Sequence, residues 1–167
     1  MRKLTVTILI IALLSGMYLP CRAADASVIV NGGFAEGTVG WSTVNAELSA
    51  VDDGGGNLCG KVEMKQAYGR AMNKYKFIKN VTYIVSVYVR LPKGRNTANL
   101  VIDHRSFGDK TMILSVAKDV KVSTEWAKLT GMYTWSGEGT GEAYIYVRVG
   151  GALEPMTYYI DNLTVSC

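Results

Sequence analysis

Short runs in which apolar and polar residues alternate fill most of the chain after its first 26 residues. In the clearest run, residues 81–91, every second side chain is large and apolar: Tyr83, Val85, Val87 and Val89. This period of two predicts a β-strand with one buried face, because successive side chains of a strand point to opposite faces. Similar runs recur between turns rich in Gly, Asn and Asp, and none of useful length has a helical period. We predict an all-β chain of eight or nine strands, packed as a two-sheet β-sandwich.

The composition bounds the function as well as the fold. A length of 167 residues suits one domain, and 49% hydrophobic with 19% charged residues excludes a disordered chain. A single histidine, His104, excludes a histidine-rich zinc site and disfavours a Ser-His-Asp triad. Basic residues are scattered along the chain, which argues against a nucleic-acid partner.

Residues 1–26 have the pattern of a secretory signal peptide. A basic start, an apolar run of about a dozen residues and a tail of small residues are typical of such leaders, with cleavage after Ala23 or Ala26. The apolar run is too short for a stable membrane-spanning helix, although an uncleaved anchor remains the alternative. We therefore expect a secreted protein whose folded module spans residues 27–167 and has no membrane partner after cleavage. Cleavage would also remove Arg2, Lys3 and Arg22, so most of the net charge of +4 belongs to the leader.

The chain has three cysteines, and Cys21 lies in the predicted leader. The other two, Cys59 and Cys167, would meet an oxidising compartment, where an even number of cysteines favours pairing. We predict a Cys59–Cys167 disulfide, with two unrelated thiols as the alternative.

Aromatic and arginine side chains share the polar faces of two predicted strands. These side chains are Tyr88, Arg90, Tyr144, Tyr146 and Arg148. Outward faces usually carry Thr, Lys, Ser and Glu, whereas aromatic rings beside planar polar groups suit the faces and hydroxyl edges of sugars. Ordinary cross-strand pairs on a half-solvated sheet are the alternative interpretation.

Four motifs occur in an order that resembles a known family. They are Val-Asn-Gly-Gly-Phe through Trp at 30–41, Thr-Tyr-Ile-Val-Ser-Val-Tyr-Val-Arg at 82–90, Thr-Glu-Trp-Ala-Lys-Leu-Thr-Gly at 124–131, and Tyr-Tyr-Ile-Asp-Asn-Leu-Thr-Val at 158–165. The chain resembles the carbohydrate-binding modules of families 4, 9 and 22, which are appended to xylanases and glucanases. The resemblance implies a jelly roll whose concave sheet binds a β-glycan such as xylan or β-glucan. It also implies a glycoside hydrolase as a possible partner.

The resemblance extends to individual binding residues. Tyr88 matches the aromatic residue of the Ser-x-aromatic strand, and Tyr68 matches, with a one-residue gap, an aromatic residue before a glycine. Asp103 and Arg105 fall on a strand whose polar residues line the cleft, whereas Trp41 and Trp126 match structural positions. The full expected binding set is Tyr68, Tyr88, Arg90, Asp103, Arg105, Tyr144, Tyr146 and Arg148.

The family also tends to hold a structural calcium ion between its first motif and its last strand. Asp161 matches the first Asp of the terminal motif. The usual acid directly after Phe34 is replaced by Ala35, which leaves Glu36 one position further on. The resemblance thus implies a calcium site built from Glu36 and Asp161.

The sequence leaves three functions open. The first is non-catalytic binding of a polysaccharide through tyrosine stacking and hydrogen bonds from Arg and Asp. The second is a glycoside hydrolase, which needs two carboxylates and no histidine, although no acid pair stands out by spacing. The third is a secreted adhesion or structural sandwich protein.

Overall fold

A computed structural model describes residues 28–107, 113–150 and 154–167. The predicted signal peptide lies outside these residues. The described part contains ten strands and one short 3-10 turn at Arg105–Phe107. The strands are β1 (Trp41–Val44), β2 (Ala46–Asp52), β3 (Leu58–Met64), β4 (Arg70–Lys76), β5 (Thr82–Arg90), β6 (Asn96–Asp103), β7 (Ile113–Val122), β8 (Ala127–Thr134), β9 (Glu142–Val149) and β10 (Thr157–Ser166). Within these ranges, no helix has the length and hydropathy that crossing a membrane requires.

The strands form two five-stranded sheets. The front sheet has the order β1-β4-β9-β6-β7, and the back sheet has the order β2-β3-β10-β5-β8. All the strand pairs are antiparallel. Buried residues of both sheets form one apolar cluster, so the sheets pack face to face as a β-sandwich. The predicted all-β, two-sheet fold is confirmed.

The core lies between the sheets and is built from the predicted alternation. Tyr83, Val85, Val87 and Val89 on β5 are each at most 1% exposed and pack into one apolar cluster with residues of the front sheet. Phe34, from the first motif, closes this core at one end. Its ring occupies the space that a side chain at Gly60 would need, so Gly60 permits a close approach that alanine would block. Trp41 stacks on Phe34 with ring centroids 4.8 Å apart, which confirms its structural role.

Strands β1 and β4 were not predicted from the sequence. Strand β4 has the sequence Arg-Ala-Met-Asn-Lys-Tyr-Lys, which lacks the β-branched residues that mark strands. It forms because pairing with β1 and β9 supplies its backbone hydrogen bonds, and because Ala71 and Tyr75 enter the core. The predicted strand through Arg105 ends at Asp103, where the 3-10 turn follows one residue later.

The predicted Cys59–Cys167 disulfide is wrong. Cys59 is a free thiol, completely buried on the outward side of the back sheet. Its neighbour Gly60 pairs with Ile160 on β10. Cys167 lies seven positions beyond Ile160, which corresponds to about 20 Å along a strand. A disulfide needs Cα atoms within about 7 Å, so β10 carries the chain end past Cys59.

Candidate functional site

An apolar floor occupies the outward face of the front sheet. Strand pairing places Met72, Tyr146 and Val101 side by side on β4, β9 and β6. These three residues form a cluster of their own, separate from the core, and are 7%, 6% and 1% exposed. The outward face of a sheet in a sandwich is usually solvated, so three side chains that are this deeply buried there are unusual. We call Met72, Val101 and Tyr146 the apolar floor.

Three arginines surround this floor. Arg70 on β4 lies over Tyr146, with 4.8 Å between its Cζ atom and the ring centroid, and its Nη1 donates to the Tyr68 carbonyl at 3.2 Å. Arg148 and Arg105 complete the arginine set around the Tyr146 side chain. Together they bound a cavity of about 210 Å³, which we call the front pocket. Its principal lining residues are Tyr68, Arg70, Arg105, Ile113, Tyr146 and Arg148.

The electrostatics of Tyr146 reflect this ring of charge. Burial raises the pKa of the Tyr146 hydroxyl above its ordinary value, and the negative charge of Asp103 acts in the same direction. The positive charges of Arg70, Arg105 and Arg148 act in the opposite direction without overcoming the effect of burial. Tyr146 therefore stays neutral at physiological pH, and the charge around it is that of the arginines.

Asp103 holds Arg105 in place. Arg105 donates from Nε to Oδ1 at 3.0 Å and from Nη2 to Oδ2 at 2.7 Å, and its backbone N–H donates to Oδ1 at 3.0 Å. Burial raises the pKa of the Asp103 carboxyl, but the hydrogen bonds and charge of Arg105 outweigh burial, and the net pKa is lowered. The same pairing raises the pKa of Arg105. Asp103 is thus an ionised anchor for Arg105.

Tyr68 presents an exposed aromatic ring at the mouth of the front pocket. It is 52% exposed and has a φ of 60°, a left-handed conformation that non-glycine residues rarely adopt. Its loop is held by Asn45, whose carbonyl accepts from the backbone N–H of Lys65 at 2.9 Å and whose Nδ2 donates to the Ala67 carbonyl at 3.4 Å. The loop thus holds an exposed aromatic ring beside the pocket.

Tyr144 lies further along β9 on the same face. Its ring packs on Phe107 of the 3-10 turn, with centroids 5.1 Å apart. Lys74 lies over the other ring of this pair, 4.8 Å from the Phe107 centroid, and forms an ion pair with Glu142 at 2.9 Å. The front face therefore continues beyond the pocket as a half-buried aromatic surface.

The front sheet brings together six of the eight residues expected to bind sugar. They are Tyr68, Asp103, Arg105, Tyr144, Tyr146 and Arg148. Tyr88 and Arg90 lie elsewhere, on the outward face of the back sheet, so the expectation of one shared cleft is wrong for these two. The reason is that β5 belongs to the back sheet, where its alternate side chains fill the core.

The two back-sheet residues contact neighbouring side chains in or beside their own sheet. The guanidinium of Arg90 lies between two rings, with Cζ 5.0 Å from the Trp126 centroid and 4.7 Å from the Tyr159 centroid. Lys128 lies over Tyr88 at 5.8 Å. Both sides of Arg90 are covered, so its planar faces are not open to a ligand.

Arg70 is a charged site residue that the sequence did not predict, and Met72, Val101 and Ile113 are unpredicted apolar ones. Alternation along β4 places Arg70, Met72 and Lys74 outward. The same alternation would have indicated Arg70 from the sequence if residues 70–76 had been recognised as a strand. The pairing of Met72 with Tyr146 then brings Arg70 to the pocket.

The two residues expected to bind calcium, Glu36 and Asp161, differ in their surroundings. Asp161 is 6% exposed, and its carboxylate accepts from the backbone N–H of Asn162 at 2.7 Å and from the Nδ2 atoms of Asn57 and Asn162 at 3.0 Å each. Glu36 is exposed, and the described ranges contain no group of three His, Cys, Asp or Glu residues that could hold a metal. Calcium binding stays a prediction, which unfolding with and without a chelator would test.

Comparison with known proteins identifies a family and a relative of this chain. A family model for a carbohydrate binding domain matches residues 26–156. The chain is 30% identical over 156 residues to the exoglucanase XynX of Acetivibrio thermocellus, and the match covers 85% of this chain and 14% of that protein. The chain thus spans about a seventh of the length of this curated relative.

Two solved structures share the β-sandwich. The CBM22-1 xylan-binding domain of Paenibacillus barcinonensis Xyn10C is 18% identical, with a TM-score of 0.68 over 84% of this chain and 94% of that one. The C-terminal family 22 carbohydrate binding module of Clostridium thermocellum Xyn10B is 20% identical, with a TM-score of 0.68 over 81% and 90%. With the family model matching most of its length, the chain belongs to the carbohydrate binding domain family.

Proposed function

We propose that the protein binds a polysaccharide chain, of the xylan or β-glucan type, along the outward face of the front sheet and without cleaving it. The observation that carries this proposal is the convergence of Tyr68, three arginines and the apolar floor on one pocket. An exposed ring beside planar hydrogen-bond donors suits a sugar, because the ring stacks on C–H groups while the guanidinium groups bond to hydroxyls.

We propose different roles for Tyr68 and Tyr146. Tyr68 has half of its surface exposed and is the ring available for stacking. Tyr146 is nearly buried beneath Arg70, so it supports Arg70 and contributes little open ring face. A cavity of about 210 Å³ is smaller than the roughly 300–1,000 Å³ of drug-sized sites, so it suits one unit of a longer chain.

The carboxylates near the pocket favour binding over hydrolysis. Glycoside hydrolysis needs a pair of carboxyl groups, one of them a proton donor with a raised pKa. Asp103 has a lowered pKa, and Arg105 holds both of its oxygens. An assay for reducing sugars released from xylan and mixed-linkage glucan would detect hydrolysis, and we expect none.

The known relative indicates what kind of enzyme this protein could act beside. The curated relative is an exoglucanase of which the matched part is 14%, so in that protein the matching part is one piece of a larger enzyme. We propose that this protein is secreted and raises the local concentration of a glycoside hydrolase on its substrate. A secreted adhesion role is the alternative, and stable self-association without glycan binding would favour it.

Affinity electrophoresis through gels with and without polysaccharide tests the proposal. The panel is arabinoxylan, glucuronoxylan, mixed-linkage β-glucan and hydroxyethylcellulose, with bovine serum albumin as the unretained reference. We expect retardation on at least one polymer, with dissociation constants in the range of about micromolar to millimolar, because an open face buries little of the ligand. Migration identical to that of the reference in every gel would contradict the proposal.

A further inference from the structure

We propose that the front pocket prefers a sugar unit that carries a carboxylate, that is, a uronic acid within the bound polysaccharide. This inference rests on the proposed function and makes it more specific. Its basis is the positive charge of the pocket, because the binding of a neutral sugar does not require a charged pocket.

The charges that face the pocket are unbalanced. Arg70 comes from β4, Arg148 from β9 and Arg105 from the 3-10 turn. Of these, only Arg105 has an ion pair among the described residues, with Asp103. Lys74, a further cation on this face, is paired with Glu142. Within the described ranges, Arg70 and Arg148 therefore form no ion pair, although the charge of Arg70 also acts on Asp103. The three arginines and Asp103 leave the pocket with an excess of positive charge.

The donors of Arg70 are also incompletely used by the protein. Its Nη1 donates to the Tyr68 carbonyl, and its Nε has no hydrogen-bond partner among the described residues. The Nε atom is buried, so a ligand would be bound by the outer Nη1 and Nη2 groups. The ring of Tyr146 fixes the guanidinium from one side, so its orientation is set before a ligand arrives. A preorganised guanidinium loses little entropy when it binds a ligand.

A carboxylate matches this arrangement better than a hydroxyl does. Guanidinium groups bind carboxylates through two parallel hydrogen bonds, and such charge-assisted bonds are about twice as strong as neutral ones. The apolar floor beneath the arginines lowers the local dielectric, which strengthens the attraction between opposite charges. Arg70 and Arg148 are the two groups free to make these bonds, because Arg105 is already held by Asp103.

The experiment compares each polymer with its own carboxyl-reduced form. Glucuronoxylan, polygalacturonate and alginate are each used intact and after carbodiimide activation and borohydride reduction, which converts the carboxylates to alcohols. Dissociation constants are measured by affinity electrophoresis in about 0.15 M salt, where long-range attraction is screened beyond roughly 8 Å. We expect binding to at least one intact polymer to be about tenfold or more tighter than to its reduced form.

Two variants and a matched control locate the effect. Arg148→Gln and Arg70→Gln should each remove most of the difference between the intact and reduced polymers. Arg95→Gln removes the same charge from an exposed residue in the loop between β5 and β6, and should leave the difference unchanged. Because Arg70 packs on Tyr146, a thermal melt first checks that Arg70→Gln is folded, and Arg148→Gln decides the question if it is not.

Each outcome separates the two proposals. Equal affinity for the intact and reduced forms of all three polymers would overturn the carboxylate preference and leave polysaccharide binding standing. The absence of binding to any polymer, neutral ones included, would overturn both. Binding to dextran sulfate as tight as to the best uronate polymer would show a general anion site, and would also overturn the preference for carboxylate.

Discussion

The guanidinium of Arg70 lies over the ring of Tyr146, with 4.8 Å between its Cζ atom and the ring centroid. This contact joins the two halves of the site, because Tyr146 belongs to the apolar floor and Arg70 to the charged rim of the front pocket. The floor therefore sets the position of the rim, and changes to the floor should affect binding through Arg70.

The hydroxyl and the ring of Tyr146 should contribute differently. Tyr146→Phe keeps the ring beneath Arg70 and loses only the hydroxyl, which interacts with Arg105, so we expect a cost of about 1 kcal/mol in unfolding free energy and little change in polysaccharide affinity. Tyr146→Ala removes the ring and opens a cavity, which we expect to cost about 3 kcal/mol. Urea unfolding of both variants measures this. A large loss in Tyr146→Phe would show that the hydroxyl, rather than the ring, holds the site together.

Stability should depend on pH through Asp103. Its pKa is lowered in the folded protein, so its contribution is fully present above the ordinary value near 3.8 and is lost as pH falls through the lower folded pKa. Because half of the Arg105 side chain is exposed, solvent screens the pair, and we expect Asp103→Asn to cost only about 1 kcal/mol at neutral pH.

Denaturant unfolding of wild type and Asp103→Asn at several pH values measures this dependence. The difference between them should shrink below about pH 4, because wild-type Asp103 then also becomes neutral. A difference that stays constant down to pH 2.5 would show that packing, rather than charge, explains the loss.

Gly60 should tolerate no side chain. A Cβ atom there would collide with the ring of Phe34, so Gly60→Ala must displace Phe34 from the core. We expect a loss of about 1–3 kcal/mol in unfolding free energy, which thermal or urea unfolding measures. Gly55→Ala is the control, because its added methyl meets nothing closer than 3.3 Å. Equal stability of the two variants would mean that Phe34 does not occupy this position.

Cys59 should be an unreactive free thiol in the native protein. Burial raises its pKa, which leaves little thiolate, and the completely buried side chain is closed to reagents. We expect peptide mass spectrometry to find Cys59 unmodified after iodoacetamide treatment of the folded protein and alkylated after treatment in guanidinium chloride. A peptide containing Cys59 disulfide-linked to Cys167 would contradict the structure.

The alternation of residues predicted which side chains face inward but not which sheet they belong to. Tyr88 and Tyr146 have the same local pattern, yet one lies on the back sheet and the other on the front. The difference arises because β10 pairs with β5 while β6 pairs with β9, and these are long-range choices that no local pattern records.

Two other features depended on tertiary structure in the same way. Strand β4 contains Lys, Asn and Arg, and it is a strand because its neighbours pair with it, so Arg70 could not be recognised in advance. Counting cysteines suggested a pair, but only the register of β3 and β10 shows how far apart Cys59 and Cys167 lie. The fold class, by contrast, followed directly from the alternation.

The central claim is that polysaccharide binds to the front sheet, and two tyrosine variants test it most directly. Tyr68→Ala removes the exposed ring at the front pocket, whereas Tyr88→Ala removes a ring on the back sheet. Affinity electrophoresis on the polysaccharide that retards wild type should show that Tyr68→Ala weakens binding by about tenfold, the worth of one stacked ring, with Tyr88→Ala unchanged. Loss of retardation in Tyr88→Ala together with full retardation of a folded Tyr68→Ala would contradict the account and place the binding surface on the back sheet.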